Sequence, residues 1–137
     1  MEELYDKGFR SVYSLTAHIV FVTKYRRMVI NEAMLSRLAE IFKDTCTKWE
    51  CTLVEFNGEV DHVHLLIRYH PQMELCKFIA NLKTVSSRLI RKEFEPILSQ
   101  VYTKPVLWTG SYFVASCGGV TVEQLKEYVQ QQQSPQK

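Results

Sequence analysis

The sequence has few of the features that mark an exported or membrane protein. No apolar run approaches the roughly 18 residues that a membrane span requires. Residues 1–6, Met-Glu-Glu-Leu-Tyr-Asp, are acidic, whereas a signal peptide is basic and then apolar. Four cysteines are scattered without a C-x-x-C pair, which argues against a disulfide framework and a structural zinc site. We therefore expect a cytoplasmic protein that does not enter a membrane.

A large positive charge, which would indicate a nucleic-acid-binding protein, is also missing. The 17 Lys and Arg residues nearly balance 15 Asp and Glu, and the formal net charge is only +2. Hydrophobic residues make up 46% of the chain, a proportion typical of a globular protein. A chain of 137 residues is long enough for one core and too short for two ordinary domains. We expect residues 1–137 to form one domain with frayed terminal residues.

Hydrophobic periodicity predicts a strand followed by a helix in the first third of the chain. Residues 13–22 alternate between apolar and polar side chains, which predicts a strand with its odd positions in the core. Asn31 is a candidate N-cap for a helix that extends to about Trp49, because apolar residues recur there at helical spacing. The apolar stripe of this helix requires a sheet or another helix to cover it.

The middle of the chain continues the alternation of strands and helices. Residues 52–56 and 61–69 are rich in β-forming residues and flank an Asn-Gly-Glu turn, which predicts a hairpin. A second helix is predicted over about residues 74–94 and is ended by Pro96. A short strand is predicted over residues 112–115.

The order of elements that results is β-α-β-β-α-β-α. Thr121 and Gln124 fit a capping box that begins the last helix, and Tyr128 shares one face of that helix with apolar residues. This order is the split β-α-β plan. We therefore predict an α+β, ferredoxin-like (RRM-like) antiparallel sheet with helices on one face, extended by a C-terminal helix.

Two histidines in the second hairpin strand are the first candidates for chemistry. His62 and His64 are separated by one residue in Asp61-His62-Val63-His64, so both imidazoles project from the same face of a strand. Such a pair can bind a metal ion, although in isolation it is more often part of a solvated sheet face. Asp61 either orients an imidazole from behind or ends the hairpin turn.

The predicted terminal helix offers the groups that the histidine pair lacks. Tyr128 and Gln132 are spaced i and i+4, so they stack on one helix face within reach of a common point. A metal ion needs a further protein ligand, which an amide oxygen can supply. Tyr128 taken alone is more often a packing residue beside Leu125 and Val129. His18 projects from the face of the histidine pair, where a structural or DNA-facing role fits better than metal ligation.

Four motifs are present together when the whole sequence is considered. They are Asp-His-Val-His-Leu-Leu around His62 and His64, Lys24-Tyr25-Arg26 after the first strand, Trp108 with Tyr112, and Tyr128 with Gln132. The set resembles the HUH single-tyrosine transposases of bacterial and archaeal insertion sequences. The resemblance spans nearly the whole chain, and the joint pattern is far more specific than the histidine pair alone.

The resemblance implies a ferredoxin-like catalytic domain that cleaves and rejoins single-stranded DNA at insertion-sequence ends through a covalent 5′-phosphotyrosine. It also implies a homodimer that recognises subterminal DNA hairpins and shares its active sites between subunits. Carried over to this sequence, it makes Tyr128 the catalytic nucleophile and His62, His64 and Gln132 the ligands of a divalent metal ion. Mg²⁺ and Mn²⁺ both fit such an open site.

Two basic clusters are candidates for contacts with DNA phosphates, although each alone is more often a solvated face. One cluster follows the first strand and the other lies on the second helix. Their members are Lys24, Arg26, Arg27, Lys83, Arg88, Arg91 and Lys92. Gly118 and Gly119 are either a hinge for the tyrosine helix or an ordinary loop before it.

Two other functions are compatible with the sequence. A non-catalytic nucleic-acid-binding module on the same plan would explain the basic clusters, but it leaves the histidines, the tyrosine and the glutamine unexplained. A domesticated relative that processes chromosomal repeats would use the same active site, and genomic context would separate it from a mobile-element enzyme. A relaxase or replication initiator fits less well, because such enzymes are generally larger.

Overall fold

The structure is a computed structural model that describes residues 6–8, 11–13, 15–116 and 122–132, with side chains from residue 15 onward except in the first half of the last helix. Six strands and four α-helices occupy this part of the chain. In chain order they are β1 (Asp6–Gly8), β2 (Ser11–Tyr13), β3 (Leu15–Val22), α1 (Glu32–Lys48), β4 (Thr52–Gly58), β5 (His62–Tyr69), α2 (Leu75–Glu93), α3 (Glu95–Leu98), β6 (Phe113–Ser116) and α4 (Val122–Gln131).

Four strands form the central antiparallel sheet in the order β4-β5-β3-β6. β3 pairs with β5 along its whole length, from Leu15 opposite Tyr69 to Val22 opposite His62. β6 pairs with the other edge of β3. Helix α1 connects the inner strand β3 to the outer strand β4, and α2 lies between the inner strand β5 and the outer strand β6. This arrangement is the split β-α-β plan. The predicted α+β, ferredoxin-like fold class is confirmed.

The first long helix begins at the predicted cap. Asn31 has an extended backbone, and its side-chain oxygen accepts a hydrogen bond of 2.8 Å from the backbone N–H of Met34. This bond satisfies one of the free amides of the first helical turn. The helix ends at Lys48, one residue before the predicted end. Its buried residues are Met34, Leu38, Ile41, Phe42, Thr45 and Cys46.

The main core lies between one face of the sheet and the helices α1 and α2. The odd positions of the two central strands point into it and are 2% exposed or less; they are Ala17, Ile19, Phe21, Val63, Leu65 and Ile67. Helix α2 adds Phe78, Ile79, Leu82 and Ile90. Full burial of such a side chain stabilises the fold by about 1.5–3 kcal/mol. The predicted core face of the first strand is confirmed.

The other face of the sheet is covered at one end by α4. Val20 and Val22 of β3 are buried against Val129, and Phe113 and Tyr128 pack around them. The even positions of β5 point to this same face, because its odd positions are in the main core. Strand β3 is therefore buried on both faces near its C-terminal end.

Two local predictions were wrong. Pro96 does not end the second helix: α2 ends at Glu93, and Pro96 lies in the first turn of α3. A proline ring fits that position because its missing N–H has no helical partner there. Strands β1 and β2 form a separate two-stranded sheet, which places Tyr13 in β2 rather than at the start of β3.

Some predictions fall outside the residues that the structure describes. They concern Thr121 of the capping box, the proposed hinge at Gly118 and Gly119, and the tail after Gln132. Within the described ranges, no helix combines the length and the apolar character that crossing a membrane would require.

Candidate active site

The histidine pair lies at one end of the two central strands. His62 and His64 are opposite Val22 and Val20 of β3, and their ring centroids are 5.2 Å apart. Both side chains are half-buried, and Val63 between them points into the main core. The two imidazoles therefore share the sheet face that α4 partly covers.

A carboxylate orients His62 from behind. Nδ1 of His62 lies 2.8 Å from Oδ1 of Asp61, and Nε of Arg26 donates to Oδ2 of the same carboxylate at 2.9 Å. Burial acts to raise the pKa of Asp61, but the hydrogen bonds from His62 and Arg26 outweigh it and hold that pKa below its ordinary value. Asp61 therefore remains ionised, and in the tautomer that carries its proton on Nδ1, His62 donates to this carboxylate and has Nε2 available as a metal ligand.

His64 is surrounded by groups that favour its neutral form. Burial lowers its pKa, and the neighbouring His62 and His18 lower it further. The ring of His18 stacks on that of His64 with centroids 5.8 Å apart, and burial also lowers the pKa of His18. A neutral imidazole keeps a lone pair for a metal ion. His18 thus stacks on His64 and favours its neutral form.

Tyr128 and Gln132 lie on the same face, beside β6. The ring of Tyr128 packs on Phe113 with centroids 5.5 Å apart, and its hydroxyl lies 3.0 Å from Oγ of Ser111. Oε1 of Gln132 accepts hydrogen bonds of 3.3 Å from the hydroxyls of Thr109 and Ser111. Burial raises the pKa of Tyr128, and the hydrogen bond with Ser111 offsets this in part. The hydroxyl of Tyr128 is therefore protonated at neutral pH.

Tyr128 is aligned with His64 across the sheet. Val20 is opposite His64 on one side and opposite Phe113 on the other, so these three residues form one cross-strand row. Tyr128 packs on the last member of this row. Because adjacent strands are about 4.8 Å apart, His64 and Phe113 are separated by two spacings, about 10 Å.

Gln132 is aligned with His62 in the next row. Val22 is opposite His62, and its carbonyl accepts a hydrogen bond of 2.8 Å from the N–H of Thr109, whose hydroxyl binds Gln132. Residues i and i+2 of a strand are about 6.7 Å apart, and residues i and i+4 of a helix are about 6 Å apart along the axis. Because these spacings are similar, Tyr128 and Gln132 on α4 stay in register with His64 and His62 on β5. Val20 and Val22 of β3 lie between the two pairs.

Lys83 holds the segment that carries the two hydroxyl groups. Its Nζ donates to the backbone carbonyls of Thr109 and Ser111 at 2.7 and 3.4 Å. Burial lowers the pKa of Lys83, and the charge of Lys24 adds to this effect. The DNA contact of Lys83 stays a prediction, but its ammonium group already has partners within the chain.

The loop after β3 brings the first basic cluster next to Asp61. Tyr25 and Arg26 both have left-handed backbones, with φ of 59° and 56°. This conformation costs about 1–2 kcal/mol for each residue that is not glycine. The hydroxyl of Thr23 donates to the carbonyl of Arg27 at 2.7 Å and closes the loop. Arg26 binds Asp61, so its guanidinium is part of the support of His62.

The other three members of the second basic cluster, Arg88, Arg91 and Lys92, lie on α2, away from the histidine pair. Arg88 and Lys92 are exposed on α2, and Nε of Arg91 donates to Oγ of Ser87 at 3.0 Å. Arg91 also lines a surface groove of about 290 Å³ together with Lys104. Helix α2 packs on the sheet face opposite the histidines, so the structure does not bring these three residues to the histidine pair.

The donor set fits a divalent metal ion. Two imidazoles with free lone pairs, one of them bound to a carboxylate at its other nitrogen, are common ligands. Among the described residues, no group of three or more His, Cys, Asp and Glu side chains is arranged to hold a metal. A third protein ligand would therefore be the amide oxygen of Gln132, which in this structure binds two hydroxyls.

Comparison with known proteins assigns the chain to a family. Residues 11–132 match the family model for IS200-like transposases. The chain belongs to the IS200-like transposase family. Membership makes it a transposase, an enzyme that cuts DNA and transfers its strands. The resemblance noted from the four motifs is thereby confirmed.

Two relatives are similar to this IS200-like transposase over most of their length. The ISDra2 transposase TnpA of Deinococcus radiodurans is 29% identical over 126 residues, which are 92% of this chain and 89% of the relative. The transposase for insertion sequence element IS200 of Salmonella typhimurium is 27% identical over 115 residues, with coverage of 84% and 74%.

Two solved structures share the fold of this IS200-like transposase. A crystal structure of a candidate transposase from Deinococcus radiodurans superposes with a TM-score of 0.86 at 32% identity and covers 95% of this chain and 99% of that one. A REP-associated tyrosine transposase bound to a REP hairpin gives a TM-score of 0.56 at 8% identity, with coverage of 90% and 68%. The second likeness concerns the fold alone.

Proposed function

We propose that this IS200-like transposase cleaves and rejoins single-stranded DNA with Tyr128 as its nucleophile. The observation that carries the proposal is the alignment of Tyr128 and Gln132 with His64 and His62 on one sheet face. A packing tyrosine would not need a glutamine one turn away in register with a second histidine. The non-catalytic module gives no reason for this alignment.

Cleavage forms a bond between the phenolic oxygen of Tyr128 and phosphorus, and it breaks the bond to the 3′ oxygen of the preceding nucleotide. The proton leaves the tyrosine hydroxyl, and the departing 3′ oxygen takes up a proton. Because burial raises the pKa of Tyr128, the hydroxyl is protonated in the free protein and must lose its proton for the attack. Ser111 holds and orients this hydroxyl at 3.0 Å. The phosphotyrosine conserves the bond energy for rejoining, so no nucleotide cofactor is needed.

His62, His64 and Gln132 would hold a divalent ion, Mg²⁺ or Mn²⁺. When bound, such an ion neutralises phosphate charge and polarises the phosphorus. Asp61 prepares His62 for this role by binding Nδ1, and burial keeps His64 unprotonated. Gln132 would exchange two long hydrogen bonds of 3.3 Å for the metal.

The DNA partner is proposed to carry hairpins near its ends and to be bound by a homodimer that shares its active sites. The REP-associated tyrosine transposase, which shares the fold, is bound to a REP hairpin, and this supports a DNA hairpin as the partner. Lys24 and Arg27 would contact phosphates near the cleaved bond. Arg88, Arg91 and Lys92 would contact a part of the DNA on the other side of the sheet.

The proposal is tested with Tyr128→Phe and single-stranded oligonucleotides that carry the ends of the element. In the presence of Mn²⁺, the wild-type protein forms a covalent adduct that survives denaturing electrophoresis. The variant forms none, because it lacks the attacking oxygen, and it retains DNA binding within about twofold. Loss of one essential nucleophile typically lowers the rate by several orders of magnitude, on the order of 10⁴ or more.

Tyr69→Phe is the matched control, because Tyr69 is also a half-buried tyrosine but packs against the main core at the end of β5 away from His62. This variant should form the adduct at nearly the wild-type rate. An adduct with Tyr128→Phe, or equally efficient cleavage of duplex DNA by the wild type, would contradict the proposal. Binding without any adduct in the wild type would favour the non-catalytic module.

A further inference from the structure

We propose that Tyr25 is a binding site for an unpaired nucleobase, which stacks on its ring and holds the DNA strand beside His62. The inference rests on the proposed function and adds to it a residue that recognises the single-stranded substrate. It follows from the exposure of the ring, the backbone that presents it, the charges around it, and its connection to the histidine pair.

The first observation is the exposed ring on a sterically costly backbone. The Tyr25 side chain is 42% exposed and lies outside both hydrophobic clusters of the described residues. Tyr25 and Arg26 are consecutive left-handed residues, a conformation that glycine would adopt without steric cost. Backbones of this kind persist where their surroundings fix them, and they are concentrated at ligand sites. Packing offers no reason to keep a tyrosine at this position.

The second observation is that the loop is fixed through its backbone. The buried Tyr102 donates from its hydroxyl to the carbonyl of Lys24 at 2.7 Å, and Thr23 donates to the carbonyl of Arg27 at 2.7 Å. Both bonds end on main-chain atoms on either side of Tyr25. They fix the path of the chain and involve no atom of the ring, so the position of the ring is preorganised for binding.

The third observation is the charge around the ring. Nζ of Lys24 and Cζ of Arg27 lie 5.4 and 5.9 Å from the ring centroid of Tyr25. Both groups lie over the ring, so a base that stacks on it, with its atoms at about 3.5–4.0 Å, displaces these flexible side chains from the ring. Long cationic side chains beside an aromatic ring match a nucleotide, whose base stacks while its phosphates accept the charges.

The fourth observation connects this loop to the histidine pair. Arg26, the residue after Tyr25, binds Asp61 at 2.9 Å, and Asp61 binds His62 at 2.8 Å. A nucleotide on Tyr25 would therefore be a close neighbour of the phosphate held at the histidines. In a duplex both faces of each base are already stacked, so the ring selects an unpaired base. This selection makes Tyr25 a specificity residue for single strands.

The test measures the affinity of a fluorescent, mixed-sequence single-stranded oligonucleotide by anisotropy, with every variant made in the Tyr128→Phe background to prevent cleavage. Tyr25→Phe keeps the ring and should bind within about twofold of the parent. Tyr25→Leu keeps an apolar group without a stacking surface and should bind at least about fivefold more weakly, the lower end of the range for one stacked base. Ile97→Ala removes another apolar residue that is 42% exposed, on α3, and should have no effect.

A thermal melt of the same variants separates binding from folding. Tyr25→Gly relieves the left-handed backbone, so its Tm should not fall while its affinity falls as in Tyr25→Leu. Equal affinities for the Phe and Leu variants, or a parallel loss of Tm and affinity in all of them, would overturn the inference. The adduct assay is run separately with Tyr128 intact. A wild type without adduct would refute the proposed cleavage, whereas the anisotropy series alone decides the role of Tyr25.

Discussion

Lys83 illustrates how one residue can serve a site that it does not touch. Its ammonium group binds the carbonyls of Thr109 and Ser111, and the hydroxyls of these two residues bind Gln132 and Tyr128. From the sequence, Lys83 was predicted to belong to a basic cluster that contacts DNA. Its carbonyl partners could not be predicted, because they are 26 and 28 positions away along the chain. Periodicity cannot reveal contacts over such separations. We interpret Lys83 as a positioning residue for the tyrosine helix.

Substitution Lys83→Met should therefore affect cleavage more than binding. Loss of the two bonds frees the Thr109–Ser111 segment and should slow adduct formation by about tenfold, the effect of about 1.4 kcal/mol on the barrier. The affinity for single-stranded DNA should change by less than about twofold. Adduct rates and affinities at two salt concentrations measure both effects.

Lys77→Met is the control for removing a lysine from the same helix, since Lys77 is exposed and pairs only with Glu74 among its described contacts. A direct phosphate contact by Lys83 would give a different pattern. In that case affinity would fall in the variant, and the slope of log affinity against log salt would decrease by about one.

Several single residues were predictable because their signal is local. Asn31 lies three residues before the amide that it caps, and His62 and His64 share a face because strands have a period of two. Thr109 and Ser111 were not singled out. Short polar residues are common in any loop, and only the fold brings these two to α4.

At the level of elements, the approach of α1 to the hairpin depends on a glycine. A Cβ placed on Gly58 would clash with the side chains of Leu35 and Val63. The sequence indicated Gly58 as a turn residue, but the structure shows it at the end of β4, where the helix needs the space. The requirement arises from packing between elements, which a turn motif does not describe.

Gly58→Ala should destabilise the protein by about 1–3 kcal/mol, because Leu35 and Val63 must move to accept the methyl group. Chemical denaturation with two probes would measure the loss. Gly110→Ala is the control, since a Cβ there meets nothing within 4 Å. A loss of stability at Gly110 equal to that at Gly58 would contradict the packing explanation.

The strands also show where periodicity succeeds and where it fails. The alternation of β3 correctly predicted Ala17, Ile19 and Phe21 in the core. It breaks at Val20 and Val22, where a continuous apolar run indicates a strand buried on both faces. That apolar run indicates that another element, here α4, covers the second face of β3. Strands β1 and β2, three residues each, are too short to show a period.

The molecule as a whole should lose stability as the solution becomes acidic. Burial lowers the pKa of His18 and His64 from the ordinary value of 6.5. Below that value the unfolded chain takes up protons that these two side chains resist in the folded state. The free energy of unfolding therefore falls as the pH decreases from about 8 to about 5.

Thermal melts of the metal-free protein across this range would measure the effect. His64→Gln should melt at a temperature that depends less on pH, since it removes one of the two groups. His70→Gln is the control, because His70 lies near Trp49, away from the pair. An unchanged pH dependence in His64→Gln would refute this explanation.

In the half of α4 whose side chains the structure describes, Val129 packs on Val20 and Val22, and Tyr128 packs on Phe113. Every copy of the chain carries both the helix and the surface that receives it. Two copies could therefore exchange helices with the same contacts, as in domain swapping, and the exchange would need no new interface chemistry. The contacts are the same in both arrangements. Protein concentration and the length of chain before α4 would therefore decide whether each active site contains the α4 helix of its own chain or that of the second copy.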